Sequence, residues 1–91
     1  MRESDIENYF IKMVWDAGGD TRKLKYIERK GAPDRLVLFP FRHFLVELKA
    51  PGKKADLIQR KEHKRLKEAG FDVYVIDSYE GVDSFVAWAT R

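Results

Sequence analysis

Glu47 and Lys49 are separated by a single residue, and on an extended chain that spacing turns both side chains to the same side. Asp34 precedes Glu47 with twelve residues between them. If these residues lie on two strands joined by a two-residue turn at Pro40-Phe41, Phe39 opposes Arg42. Five further steps in each direction then bring Asp34 opposite Glu47, with Cβ atoms about 5 Å apart. A three-residue loop would shift the register by one and separate them. An Asp and a Glu buried side by side raise each other's pKa, and a hard divalent cation is the usual remedy. Oxygen ligands without His or Cys select Mg²⁺ or Mn²⁺ over zinc. Lys49 beside such a cation gives up a proton more easily than a free lysine, and so orients or activates a water. This is the equipment that phosphodiester hydrolysis uses: a cation on the phosphoryl oxygens, a placed water and basic residues along the strand. Taken alone, Glu-x-Lys is an ordinary same-face ion pair at a strand edge. Pro33-Asp34 at the start of the preceding strand, with a basic helix following, reverses that balance.

The elements that must position these groups are legible as patterns. Ile6, Phe10, Met13, Val14 and Ala17 follow helical spacing, which predicts an amphipathic helix over 5–17, capped by Ser4 and stopped by Gly18-Gly19. Residues 21–27 alternate loosely and read as a strand, followed by a charged loop that ends at Pro33. Strands over 34–39 and 43–50 form the hairpin. Leu36, Leu38 and Leu45 line one of its faces, and Val37, Phe39, Phe44, Val46 and Leu48 the other, so helices should cover both sides. Asp56 caps a helix over 57–69 that Gly70 ends. A strand over 72–77, parallel to the one before the helix, and a helix over 80–90 complete an αβββαβα order. The expected fold is α/β, a central mixed sheet with helices on both faces.

At 91 residues the chain is read as one domain, 1–91. With no cysteine it has no disulfide framework, thiolate zinc site or cysteine nucleophile. No apolar stretch approaches bilayer length and the N-terminus begins with charged residues, so the expectation is a cytoplasmic protein of a bacterial or virus-infected cell, neither secreted nor membrane-bound. The net charge of +3 hides a strong asymmetry, since residues 21–67 net +10 while the two ends net −7. A basic middle suits a phosphate backbone, although each lysine of the helix taken singly is the ordinary solvated kind.

Pro33-Asp34, twelve residues, and Glu47-Leu48-Lys49 together resemble the PD-(D/E)xK nuclease signature, and their surroundings resemble its VRR-NUC branch. Ile6-Glu7, Gly31-Ala-Pro-Asp-Arg35, Phe44-Leu-Val-Glu-Leu-Lys-Ala50, Gln59 with His63 and Leu66, and Gly70-Phe-Asp-Val-Tyr-Val75 carry that resemblance over nearly the whole chain. It implies a restriction endonuclease-like core in which Asp34, Glu47 and the main-chain carbonyl of Leu48 ligate the metal while Lys49 acts on the water. Glu7 would be a further acidic member of the site and Gln59 a helix residue facing it. Stand-alone members of this size resemble homodimeric Holliday-junction resolvases, so the implied function is a Mg²⁺- or Mn²⁺-dependent endodeoxyribonuclease acting on branched DNA. No nucleotide cofactor is expected.

Some assignments stay open at this level. Ser4-Asp-Ile-Glu7 is also a capping box, in which Glu7 would bond back to the Ser4 backbone and owe nothing to catalysis. Gln59 and His63 share a helix face by their spacing of four, and resemblance favours a role for Gln59 but not for His63. Lys23, Lys25, Arg35, Lys53, Lys54 and Arg60 are the candidate phosphate contacts. Trp15, Phe85 and Trp88 read as core. Two other functions fit the same fold: a nucleic-acid-binding module without catalysis, and a restriction-type duplex endonuclease. The intact acidic pair argues against the first, and the scarcity of residues for base-reading loops argues against the second.

Overall fold

The computed structural model describes residues 1–91, and its elements follow the expected order. Helix α1 (Glu3–Asp16) buries Ile6, Phe10 and Val14, a stripe at intervals of four. It begins earlier than Ser4 would dictate. Arg2 is the N-cap, and its backbone N–H donates to Asp5 Oδ2 at 2.8 Å, so Ser4 lies inside the helix and the Ser4–Glu7 box does not form. Trp15, one position past the stripe, points outward and is 67% exposed, which removes it from the core.

Strand β1 (Asp20–Lys23) pairs antiparallel with β2 (Arg35–Phe39), which pairs antiparallel with β3 (Arg42–Leu48). The first strand is shorter than its alternation suggests. Leu24 still donates its N–H to the Asp34 carbonyl, but Tyr26 leaves the sheet and its hydroxyl donates to Glu62 Oε2 at 2.7 Å. Phe39 opposes Arg42, the even-length turn that the register argument requires. Proline supplies the first turn residue, and Phe41 takes φ 63° as the second, the combination of a type II turn. Helix α2 (Leu57–Glu68) and strand β4 (Val73–Ile76) follow, with β4 parallel to β3, and helix α3 (Tyr79–Ala89) closes the chain behind its Ser78 cap. The sheet order is β1-β2-β3-β4. No helix is long and apolar enough to cross a membrane.

The two faces of the sheet are built differently. Helices α1 and α3 cover one of them, where Ile6, Phe10, Val14, Val82, Phe85 and Val86 pack on Val37, Phe39, Phe44, Val46, Leu48 and Ile76. Phe85 is buried there, and Trp88 packs half-buried against Phe44 and Tyr74. The Arg42 guanidinium lies over the Trp88 ring at 4.8 Å and donates to the carbonyls at the end of α3, which ties the hairpin to the last helix. The other face carries Leu36, Leu38 and Leu45, and α2 lies on this side against β4. The residues α2 buries are polar, Glu62 and His63.

Glu62 docks the loop between β1 and β2 onto α2. It accepts from Tyr26 and from Arg65, with Arg29 at 3.7 Å. Within that loop Gly31 has φ +98°, and a Cβ there would stand 3.0 Å from the Ile58 carbonyl oxygen and from Glu62 Cβ. Gly52 also has positive φ (+78°) but faces open space. Gly31→Ala is therefore expected to destabilise by about 1–3 kcal/mol, through left-handed strain plus crowding, and Gly52→Ala by the strain alone. Urea midpoints of the two variants check this order.

Candidate active site

Asp34 stands immediately before β2, and the pairing of Arg35 with Val46 places it opposite Glu47. Its side chain closes the end of the ladder: Leu48 N–H donates to Asp34 Oδ2 at 2.8 Å. The N–H and C=O of one strand residue leave on the same side, so the Leu48 carbonyl also faces Asp34. Glu47 is 1% exposed. Its Oε2 accepts from Gln59 Nε2 at 2.9 Å and lies 3.1 Å from Lys49 Nζ, while Oε1 is buried without any partner. Lys49 follows the end of β3, where its N–H donates to the Ile76 carbonyl and continues the parallel pairing. Asp34, Glu47, Lys49 and Gln59 thus converge beneath α2.

Gln59 does two things at once. Its backbone N–H donates to Asp56 Oδ1 and its Oε1 accepts from the Asp56 N–H, the reciprocal box that starts α2. Its side-chain N–H donates one bond to the Glu47 carboxylate. The site is attached to the helix by its first turn.

Burial, and next the neighbouring Asp34 charge, push the Glu47 carboxyl up to about 7, against the opposing pull of Lys49. The Glu3 carboxylate at the start of α1 adds a smaller push in the same direction. Glu7 is placed elsewhere. Its Oε2 pairs with Lys23 Nζ at 2.9 Å and Arg35 Nε at 3.0 Å, on the face that strand alternation makes opposite to Asp34. Burial works to raise the Glu7 pKa, but these two cations outweigh it and hold it below the usual carboxylate value. No third Asp, Glu or His joins Asp34 and Glu47 in a ready-made cage.

Of the basic residues expected near phosphate, Lys23 and Arg35 are engaged by Glu7, and Lys25 sits beside Ile27 and Arg29 on the docked loop. Lys53, Lys54 and Arg60 line a groove of about 710 Å³ alongside α2, together with Lys64 and Lys67. His63 also lines that groove and is only 6% exposed, with Nε2 buried and unpartnered. Burial, and then the positive charges of Lys67 and Lys49, lower its pKa. Spacing alone did not show that His63 is buried. The signal available for it was its position one turn beyond Gln59 on the inward side of α2. Glu3 left no comparable signal, because a helix begun at residue 5 excludes it.

A carboxylate whose folded pKa lies above its unfolded 4.5 weakens the fold as it ionises. Below 4.5 Glu47 is neutral in both states, and the destabilisation grows as pH rises to about 7 and stays above it. Glu47→Gln, melted in chelator, is therefore expected to match the parent near pH 4.5. It should exceed the parent at pH 8 by on the order of 2 kcal/mol. Thermal denaturation across that range measures the gap.

No family model matches the sequence. A phage protein described as "Putative nuclease p44", from Acyrthosiphon pisum secondary endosymbiont phage 1, is 41% identical over 81 residues, covering 88% of this chain and 87% of its own length. A solved structure described as a VRR_NUC domain superposes with a TM-score of 0.87 at 36% identity, covering 93% of this chain and 94% of that one. The similarity extends over nearly the whole length of both chains, and the chain belongs to the VRR-NUC family.

Proposed function

We propose that this chain is an endodeoxyribonuclease that requires Mg²⁺ or Mn²⁺ and acts on branched DNA such as a four-way junction. The observation that carries the metal requirement is the orphaned Glu47 Oε1, a buried carboxylate oxygen beside a second carboxylate and without any donor. A hard divalent cation is the partner such an oxygen lacks, and an all-oxygen donor set suits it. Asp34, Glu47 and the Leu48 carbonyl would hold it. When bound, the cation polarises the scissile phosphate and lowers the pKa of water.

The chain's own groups do the rest. Gln59 fixes the Glu47 carboxylate on the Oε2 side, leaving Oε1 directed elsewhere. Lys49, held 3.1 Å from Glu47 Oε2, presents an ammonium at the same point and stabilises negative charge developing on the phosphate while orienting the attacking water. Water attacks phosphorus, the P–O3′ bond breaks, and a 5′-phosphate and a 3′-hydroxyl result. The nuclease-named relative supports the reaction class. The preference for branched DNA is supported by the short connections of the fold, which offer little for reading bases. A homodimer would supply the two sites that paired cuts need. Glu7, held away from the acidic pair, acts in this reading by fixing the Lys23 and Arg35 side chains on the opposite face of the sheet.

Asp34→Asn and Glu47→Gln are expected to reduce cleavage of end-labelled junctions to background, with DNA binding retained. Gln59→Ala, which loosens a ligand without removing it, should cost about 10–100-fold. A panel of junction, flap and duplex DNA, with Mg²⁺, Mn²⁺ or chelator and with solution mass measured in parallel, is the test. Cleavage by either carboxylate variant at the parent rate, or cleavage in chelator, would refute the proposal. Cutting of plain duplex as fast as of junctions would refute the branched preference alone.

A further inference from the structure

We propose that the groove between α2 and β4 is a subsite for the sugar-phosphate backbone on one side of the cleaved bond, holding about three consecutive nucleotides of one strand. This rests on the nuclease reading and adds where the substrate strand runs.

Five cations line the groove: Lys53, Lys54, Arg60, Lys64 and Lys67. None of them is ion-paired; Lys25, Lys30, Arg42, Lys61 and Arg91 are unpaired too but do not line the groove, whereas Arg2, Lys12, Arg22, Lys23, Arg29, Arg35, Lys49 and Arg65 all have carboxylate partners. The contrast does not come from a lack of acids, because Glu68 and Asp77 belong to the same lining. Clustered, unneutralised cations repel one another, and a polyanion removes that repulsion while releasing its own counterions.

The groove begins beside the site. Val75 forms part of its wall and is the strand partner of Glu47, one inter-strand spacing away. His63 lines it from the helix side and lies within the fields of Lys49 and Asp34. Its Nε2 is buried and unpartnered. From Arg60 to Lys67 the helix rises about 10 Å, the rise of about three stacked nucleotides of one strand. Lysines and an arginine without aromatic neighbours or amide side chains grip phosphates and read no bases. All five line one groove that runs along a single side of α2, so the contacts are predicted to be one-sided.

The test uses the full chain, a labelled four-way junction, and a plain duplex of the same sequence. Lys64→Ala/Lys67→Ala is compared with Lys61→Ala/Lys30→Ala, which removes equal charge from exposed positions outside the groove. The groove variant is expected to need about tenfold more DNA for half-saturation, with an unchanged single-turnover rate at saturation. Its slope of log affinity against log salt, measured in chelator, should fall by about 1.4–1.8, since each of the two phosphate contacts contributes about 0.7–0.9. The control variant should match the parent in all three. Phosphate ethylation interference should mark about three consecutive phosphates of the cleaved strand, on one side of the cut. Groove and control variants that behave alike, or interference spread evenly about the cut, overturn the groove assignment while leaving the nuclease reading intact. A parent protein that neither binds nor cuts DNA overturns both.

Discussion

Burying Glu47 between the sheet and α2 is the constraint around which the rest of this small protein is arranged. A carboxylate at 1% exposure is tolerated only with partners, and the fold supplies two of them on one oxygen, the Gln59 amide and the Lys49 ammonium. The other oxygen receives none, and Asp34 is set opposite it, which makes matters electrostatically worse. No rearrangement that served stability alone would leave this pair together. The hairpin register, the short turn and the Asp56–Gln59 cap all hold it there.

That arrangement depends on which partners sit on which strand. Glu47 and Lys49 come from one strand and need only its alternation, whereas Asp34 is brought in by the length of the turn. The Leu48 N–H then locks it, because β2 begins only at Arg35 and the Asp34 side chain takes the ladder bond that backbone would otherwise make. The carboxylate that faces Glu47 is thereby also a structural cap on the sheet.

Much of this was legible from residue types and spacing. Alternation over the hairpin assigned its two faces correctly, and the parity of Pro40-Phe41 brought Asp34 to Glu47. Helix starts were read well where side chains cap in the ordinary way, as at Asp56, and badly at Ser4, where the backbone of Arg2 bonds to Asp5 instead. The strand over 21–27 formed but ended at Lys23, because the later part of its alternation came from residues with another destination: Tyr26 bonds to Glu62, 36 residues further along the chain. Charge counts placed the basic region but not its pairing. Lys23 and Arg35 look equivalent to Lys53 and Lys54 in sequence, and only the approach of α1 shows that Glu7 has neutralised the first two. The burial of His63 is likewise something spacing implies only once the covering layer is known.

The unequal construction of the two faces sets a hierarchy of local stability. The side under α1 and α3 is held by apolar contact, so it keeps its cohesion regardless of ions. The α2 layer buries Glu62 and His63 and is joined to the sheet through Gln59 and Glu47, contacts that change with the charge around them. The attachment of α2 is therefore the part of the core packing most dependent on charge, and a ligand that neutralises the charges beneath and beside it would tighten that attachment. Occupation of the site and ordering of its covering helix become one coupled equilibrium, in which the protein is most rigid when it is loaded.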